Sequence, residues 1–297
     1  MNGVIVVDKP EEFTSFDVVA VVRRLSGQRK IGHTGTLDPN ATGVLPLLLG
    51  SATKAQDIIP NHDKEYVAGF SLGMTSDTLD IWGDVSERKE TSVTLGELED
   101  TLRLFRGKIT QLPPMYSAVK VNGQRLYDLA REGREVERRA REVTVYSLSL
   151  LSFDEAAQSG VLSVSCSRGT YIRTLIDDIG SRLSTGAVMT SLDRISACGF
   201  KKQDALTLDE IKKLAESGEL EGRLMSTESL FVTYPSLSVS DAQAKRFKNG
   251  GALDASRTSL RGVQTEDGSV YRIRDREENF LGLARVDEGS LKIFKLF

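Results

Sequence analysis

Fifteen residues, Gly32 to Pro46, constrain this chain more than any other segment: GHTGTLDPNATGVLP. Glycine, threonine and proline at this density support neither a long helix nor a regular central strand, so the segment is predicted to be a shaped loop. It sets His33 and Asp38 five positions apart and runs directly into the apolar VLPLLLG. A carboxylate on a loop braced by a rigid core is an arrangement that catalytic and binding groups commonly use. Pro39 holds Asp38 out of helical geometry and leaves the next position without a backbone donor, so the carboxylate is free to point outward. Taken alone, the pair is equally an aspartate shaping its own turn before proline.

The whole chain sets the frame. At 297 residues it has room for a sizeable core and for one or two domains. No apolar run approaches the roughly 18 residues a membrane helix needs, and the N-terminal VIVV run is a strand-sized segment rather than a secretory signal. A cytoplasmic protein without membrane association is expected. Cys166 and Cys198 are widely separated, with no CxxC pattern and only His33 and His62 as histidines. Buried thiols are therefore expected, with no metal site. The formal charge is -3, but phosphate recognition needs only local positive charge. Arg23, Arg24, Arg29 and Lys30 precede the loop, and arginines crowd the stretch from 131 to 141, where interleaved glutamates fit a solvated ion-paired face as well as an RNA contact.

Helix and strand signals alternate irregularly. VIVVDK reads as a buried strand, Ser15 as the cap of a helix through DVVAVVRRL ending at Gly27, and SATKAQDII as a short helix closed by Pro60. EYVAGFSLG reads as a strand, and Thr94 with Glu97, like Thr207 with Glu210, forms a capping-box signature. The runs REVTVYSLSLLSF and GVLSVSCS follow each other with only a loop between them. That favours an α+β fold with a mixed, largely antiparallel sheet flanked by helices over a doubly wound parallel one. Pro113 and Pro114 open a charged excursion of about 115–140. Beyond residue 233 short alternating strands and frequent turns predict a small β module, giving domains of 1–233 and 234–297.

A second segment bears on Asp38. CSRGTYIRTLIDDIG ends a strand near Gly169 and starts a helix whose first turn holds Tyr171 and Arg173. Arg173 can pair with a buried carboxylate, or with Asp177 four positions on along its own helix. The acidic TSDTLDIWGD stretch has neither the glycine nor the terminal glutamate of a calcium loop in register, so it reads as a surface loop. No GxxxxGK[ST] or GxGxxG motif points to a nucleotide enzyme.

VDKP followed by TS, then GHTGTLDPNATGVLPLLLGSATK, KEY, MYSAVKVNGQRLYDLAREG and SRGTYIRTLIDDIG resemble, in order and spacing, the bacterial tRNA pseudouridine synthases that modify uridine 55 in the T arm. The likeness covers nearly all of the first 200 residues and is weak over the last 60. It implies an isomerisation without cofactor, in which the N1–C1′ bond of uridine breaks, the base turns in place and C5 rejoins C1′. Asp38 matches the aspartate acting on the sugar, Arg173 the arginine that pairs with it, and Tyr66 the tyrosine packed on the uracil and placed to help remove the C5 proton. Tyr171 and Leu192 match residues lining the base pocket, and His33 one that stacks among displaced T-loop nucleotides. Lys9 and Pro10 match structural support beneath the loop, and the acidic stretch matches a region that follows the Tyr66 strand to the cleft, where Asp80 is expected to support the site without being catalytic. The 115–140 excursion matches a thumb-like insertion clamping the T arm, which makes Arg138, Arg139 and Lys64 candidates for RNA contact. The C-terminal part resembles a PUA-type RNA-binding module. The implied partner is tRNA, with no protein partner and a monomeric state. A tRNA-folding factor in which catalysis is secondary is the alternative; an intact Asp38, Tyr66 and Arg173 set favours the enzyme.

Overall fold

The computed structural model describes residues 1–86, 89–121 and 123–297, so Asn122 of the MYSAVKVNGQ motif lies outside the described residues. In chain order the first elements are β1 (Gly3–Lys9), α1 (Ser15–Ser26), β2 (Ile31–His33), β3 (Thr42–Leu49), β4 (Lys64–Leu72), α2 (Leu95–Leu104) and β5 (Gly107–Gln111). The charged excursion holds β6 (Lys120–Val121), β7 (Gln124–Arg125) and α3 (Leu126–Arg131). There follow β8 (Arg141–Asp154), β9 (Ser159–Cys166), α4 (Ile172–Arg182), β10 (Ala187–Ala197), β11 (Phe200–Lys201) and α5 (Leu208–Glu216). The last are β12 (Ser236–Ser238), α6 (Asp241–Lys248), β13 (Leu253–Asp254), β14 (Val270–Arg274), β15 (Phe280–Asp287) and β16 (Ser290–Leu296).

The main sheet runs β1-β3-β10-β4-β9-β8-β5, with β2 added to β3 and β11 to β10. Its junctions are antiparallel apart from β10 against β3, the mixed and largely antiparallel sheet expected for this α+β chain. Apolar side chains cover both faces. One core gathers Phe70, Leu72, Leu98, Leu162, Ile176 and Ile179 beneath α2 and α4, and another gathers Ile5, Val7, Val18, Val22, Leu45, Leu47 and Ile211 beneath α1 and α5. Each fully buried aliphatic side chain contributes about 1.5–3 kcal/mol. The open side of β1 is covered where Val4 pairs with Met225 and Leu206 bonds to Val6 and Asp8, which removes an exposed sheet edge. Among the described residues no helix is long and apolar enough to cross a membrane.

Several local expectations change in detail. Thr14, not Ser15, caps α1, its hydroxyl accepting from Asp17 N while the Asp17 carboxylate answers to Thr14 N. Ser15 is buried and turned to another use described below. SATKAQDII forms only a 3₁₀ segment, Gly50–Ala55, because the chain leaves β3 through a left-handed Gly50 and Pro60 bounds the other end. Tyr171 stands just before α4 rather than within its first turn. Helix α6, with its Ser240/Gln243 capping box, lies in a stretch read as strands and turns; it is short and its apolar face is only Ala244 and Phe247, too little periodicity to register.

The loop itself is shorter than its composition suggests, because Thr42–Pro46 enters β3, an interior strand. Pro46 is tolerated there because β3 changes neighbours at that point, pairing with β10 up to Gly43 and with β2 from Leu47. The Pro46 carbonyl accepts from Thr34 on that side, so its missing N–H faces the gap between the two partners. Residues 236–296 form a second sheet, β12-β14-β15-β16-β13, around Leu237, Phe247, Ile273 and Leu291. It joins the body at Phe231, Tyr234, Phe280 and Phe297, and through the buried Glu228, paired with Arg272 at 3.0 Å and Arg274 at 2.7 Å.

Gly43 is the tightest point of this frame. Its φ is +100°, and a Cβ there would collide with the Arg194 carbonyl and Asp193 Oδ1. Gly43→Ala is expected to cost about 3 kcal/mol by left-handed strain and overpacking together, read as a drop in the chemical-denaturation midpoint. A midpoint equal to that of the parent would refute the assignment of Gly43 as the contact on which β3 and β10 close.

Candidate active site

Residues 34–41 bridge β2 and β3 as a loop held from outside by three buried polar side chains. Ser15, at the start of α1, accepts from Leu37 N at 2.8 Å and donates to Leu37 O at 3.2 Å. Lys9, 0% exposed at the end of β1, donates from Nζ to the carbonyls of Pro10, Phe13 and Pro39. Arg194, also 0% exposed, donates from Nε to Val44 O at 2.7 Å, and its two Nη atoms reach Thr36 and Gly35 carbonyls. Asp38 lies between the residues these groups hold.

Arg173 sits in the first turn of α4 with 7% of its side chain exposed, and its Nε lies 3.1 Å from Asp38 Oδ2. Nη1 donates to Thr78 O at 2.9 Å and approaches Asp80 Oδ2 at 3.4 Å, while Nη2 donates to Tyr116 O at 2.9 Å. The alternative pairing with Asp177 is not made: the partners are two carboxylates from distant loops. Asp80 accepts from Thr78 Oγ1 and Trp82 N as well, so it is fixed before it meets the guanidinium. Burial in the cleft pushes the Asp38 carboxyl above the usual carboxylate range; Arg173 is the strongest influence holding it down, and Asp80 adds to the rise. The carboxylate is still 41% exposed, open to the cleft on one side.

That cleft has a volume of about 490 Å³ and is lined by His33, Asp38, Lys64, Tyr66, Tyr171, Arg173 and Leu192 together with residues 116–120 of the insertion. It falls within the roughly 300–1,000 Å³ of small-ligand sites. Tyr66 on β4 stands opposite Arg194 on β10, and burial pushes its phenol up to about 12 against the pull of Arg194. It is a neutral phenol at physiological pH. His33 is held neutral by burial and by Arg194, its Nδ1 buried without a hydrogen-bond partner. The Tyr171 backbone is fixed at both N–H and carbonyl by the buried Gln111 side chain.

The sequence-selected residues thus fall into three groups. His33, Lys64, Tyr66, Tyr171, Arg173 and Leu192 converge on Asp38, while Lys9 and Pro10 lie under the loop. Lys64 donates to His62 O at 2.7 Å inside the cleft wall. Arg138 is folded back, donating to Pro113 O and pairing with Glu135, whereas Arg139 is exposed. Ser15, Arg194, Gln111 and Tyr116 were not selected as site residues. The TS pair was the one trace of Ser15, and Arg194 looks like any charged residue of an alternating strand.

A loop carboxylate is thus paired with a buried arginine in a cleft walled by tyrosines and an aliphatic side chain. Residues 23–172 match the family described as "TruB family pseudouridylate synthase (N terminal domain)", and residues 173–232 match "tRNA pseudouridylate synthase B C-terminal domain". The chain belongs to the TruB family of pseudouridylate synthases. It is 41% identical over 297 residues to the tRNA pseudouridine synthase B of Clostridium perfringens, covering 100% of this chain and 99% of the relative. To that of Lactiplantibacillus plantarum it is 38% identical over 307 aligned positions, again covering 100% and 99%. Among solved structures it resembles a Cbf5-Nop10-Gar1 complex, with a TM-score of 0.74 and 25% identity over 99% of this chain and 84% of the other. An H/ACA RNP bound to a substrate RNA containing 2′-deoxyuridine shares the fold, with a TM-score of 0.74 over the same shares and 23% identity. Membership of the TruB family makes the chain an enzyme, an isomerase of uridine in RNA.

Lys9 gives this site a measurable pH signature. Burial lowers its ammonium from 10.5 to about 8, so the unfolded chain binds the extra proton between those values. The cost of burying the charge is fully present below about pH 8 and fades as pH rises to 10.5. Unfolding free energies of the parent and of Lys9→Met should therefore diverge, with the parent gaining on the variant from pH 8 to 10.5. Parallel curves across that window would show that Lys9 is not held in a desolvated site.

Proposed function

We propose that this chain converts the uridine at position 55 of the tRNA T loop to pseudouridine, with Asp38 as the catalytic carboxylate, Arg173 as its partner and Tyr66 as the ring packed on the base. The observation carrying this reading is the 3.1 Å Asp38–Arg173 pair at the floor of a cleft open to one extruded nucleotide. The names of the full-length relatives point to tRNA as the RNA. A base undergoing chemistry must leave its stack, at a cost of a few kcal/mol, and ring and aliphatic walls offset that cost. Tyr66, Tyr171 and Leu192 are those walls, and His33, neutral and aromatic, lines the same cleft and would stack on a neighbouring nucleotide.

The reaction needs the N1–C1′ bond to break, the uracil to turn within the cleft, and C5 to bond to C1′, after which the C5 proton leaves and N1 ends protonated. Asp38 serves either by adding to C1′ or by taking the C2′ proton, and both require the ionised carboxylate. Arg173 keeps it ionised and aimed. The neutral Tyr66 phenol is suited to packing and to relaying the C5 proton through its hydroxyl, not to acting as a standing phenolate. Residues 115–140, whose root lines the cleft, would hold the T arm, with Arg139 the better phosphate contact because Arg138 is occupied. Residues 234–297, with the basic face of α6, would form a PUA-type RNA-binding module next to a catalytic domain of 1–233, the whole acting as a monomer in the cytoplasm.

Asp38→Asn tests the assignment. The Arg173 guanidinium keeps Asp80 and two carbonyls, so the variant is expected to fold with an unchanged or slightly higher Tm and to bind a T-arm transcript, yet release no tritium from C5-labelled uridine. Tritium release at the parent rate would remove Asp38 from the reaction; binding without turnover also separates the enzyme from a pure folding factor. A second expectation concerns charge. Arg139→Ala should weaken T-arm affinity and reduce the salt slope by about one ion, and an unchanged slope would take Arg139 out of the interface.

A further inference from the structure

We propose that Tyr116, at the root of the 115–140 insertion, is a positioning residue that aims Arg173 at Asp38, so that the seating of the insertion sets the catalytic pair. This rests on the reading of Asp38 and Arg173 given above. The Arg173 guanidinium is the meeting point of three segments: Nε serves Asp38, Nη1 serves Thr78 and Asp80, and Nη2 serves the Tyr116 carbonyl. A guanidinium is rigid and planar. Shifting the acceptor at one corner therefore tilts the whole fork and moves Nε relative to the carboxylate.

Tyr116 is fastened at both ends. Its carbonyl holds Nη2, and its hydroxyl donates to Asp77 Oδ2 at 3.2 Å, on the same loop that holds Nη1. The next peptide carries the load from the insertion, since Ser117 O accepts from Tyr127 N at 3.1 Å and Val119 O accepts from Leu126 N at 2.8 Å, both at the start of α3. Helix α3 buries Leu126 and Leu129, while the chain from Arg131 to Glu135 is exposed. A displacement of α3 by bound RNA thus has a continuous hydrogen-bonded route through Ser117 and Tyr116 to the Arg173 fork. The other charged groups that face Asp38 are Asp80 from the neighbouring loop, Lys9 from β1 and Arg194 from β10, and none of the three is bonded to Tyr116. Loosening Tyr116 therefore weakens the one partner in direct contact and leaves the Asp80 repulsion.

The experiment is single-turnover conversion of a T-arm transcript by the full chain, with the rate followed against pH and the Kd measured separately. Tyr116→Phe removes only the bond to Asp77. It is expected to slow conversion about fivefold, to leave Kd within twofold, and to move the acid limb of the rate profile to higher pH. Asp77→Ala removes the same bond from the other side together with the bond from Asp84 N, so it should slow conversion at least as much, and adding Tyr116→Phe to it should cost nothing further. Parent-like rate and acid limb in both variants would overturn the proposal, as would weakened Kd with an unmoved acid limb, the mark of a simple RNA contact. Asp38→Asn run in parallel keeps the two readings apart: if it is inactive while both variants behave as the parent, only the role of Tyr116 fails, whereas turnover by Asp38→Asn removes the foundation itself.

Discussion

A carboxylate withdrawn from water into a cleft tends to take up a proton, and in this chain fixed positive charge opposes that tendency. Arg173 touches Asp38 directly, and Lys9 and Arg194 act from beneath the loop. Their opposition is incomplete, since burial and Asp80 still leave the carboxyl above its usual range. A group held against its own preference is a stability cost that active sites commonly carry. The main sheet can be understood as the frame that brings these cations together, because β1 delivers Lys9, β10 delivers Arg194 and the start of α4 delivers Arg173.

Asp80 extends the same electrostatic argument. A buried guanidinium with one counter-ion is exposed to the full desolvation penalty whenever that counter-ion is engaged elsewhere. With Asp80 and the carbonyls of Thr78 and Tyr116 as standing partners, Arg173 stays paired whenever Asp38 is engaged elsewhere. The seam between the two sheets follows a similar design. There Glu228 is buried between Arg272 and Arg274, and the rings of Phe231, Phe280 and Phe297 pack on one another.

Much of this was legible in the chain because the signals were local. The capping boxes at Thr94 and Thr207, the adjacent strands β8 and β9, and the glycine-rich approach to Asp38 each reflect interactions between near neighbours in sequence. Motif order then brought Asp38, Tyr66 and Arg173 together, although nothing in their spacing could. What stayed hidden was long-range. Arg194 meets the loop about 150 positions away, and no periodicity distinguishes a strand arginine that points into solvent from one that is fully enclosed. Ser15 read as a cap because serine before an apolar periodic run usually is one; the loop took its hydroxyl, and Thr14 assumed the cap. Helix α6 was missed for want of a wide apolar face.

The three buried side chains that shape the 34–41 loop share one habit: they bind main chain. Leu37 N and O meet Ser15, Pro39 O meets Lys9, and Gly35, Thr36 and Val44 carbonyls meet Arg194. Leu37 and Ala41 seat the loop on the core, but its main-chain polar groups are held from β1, α1 and β10. Grafted onto another scaffold without those three anchors, the same fifteen residues would carry the aspartate and lose its aim.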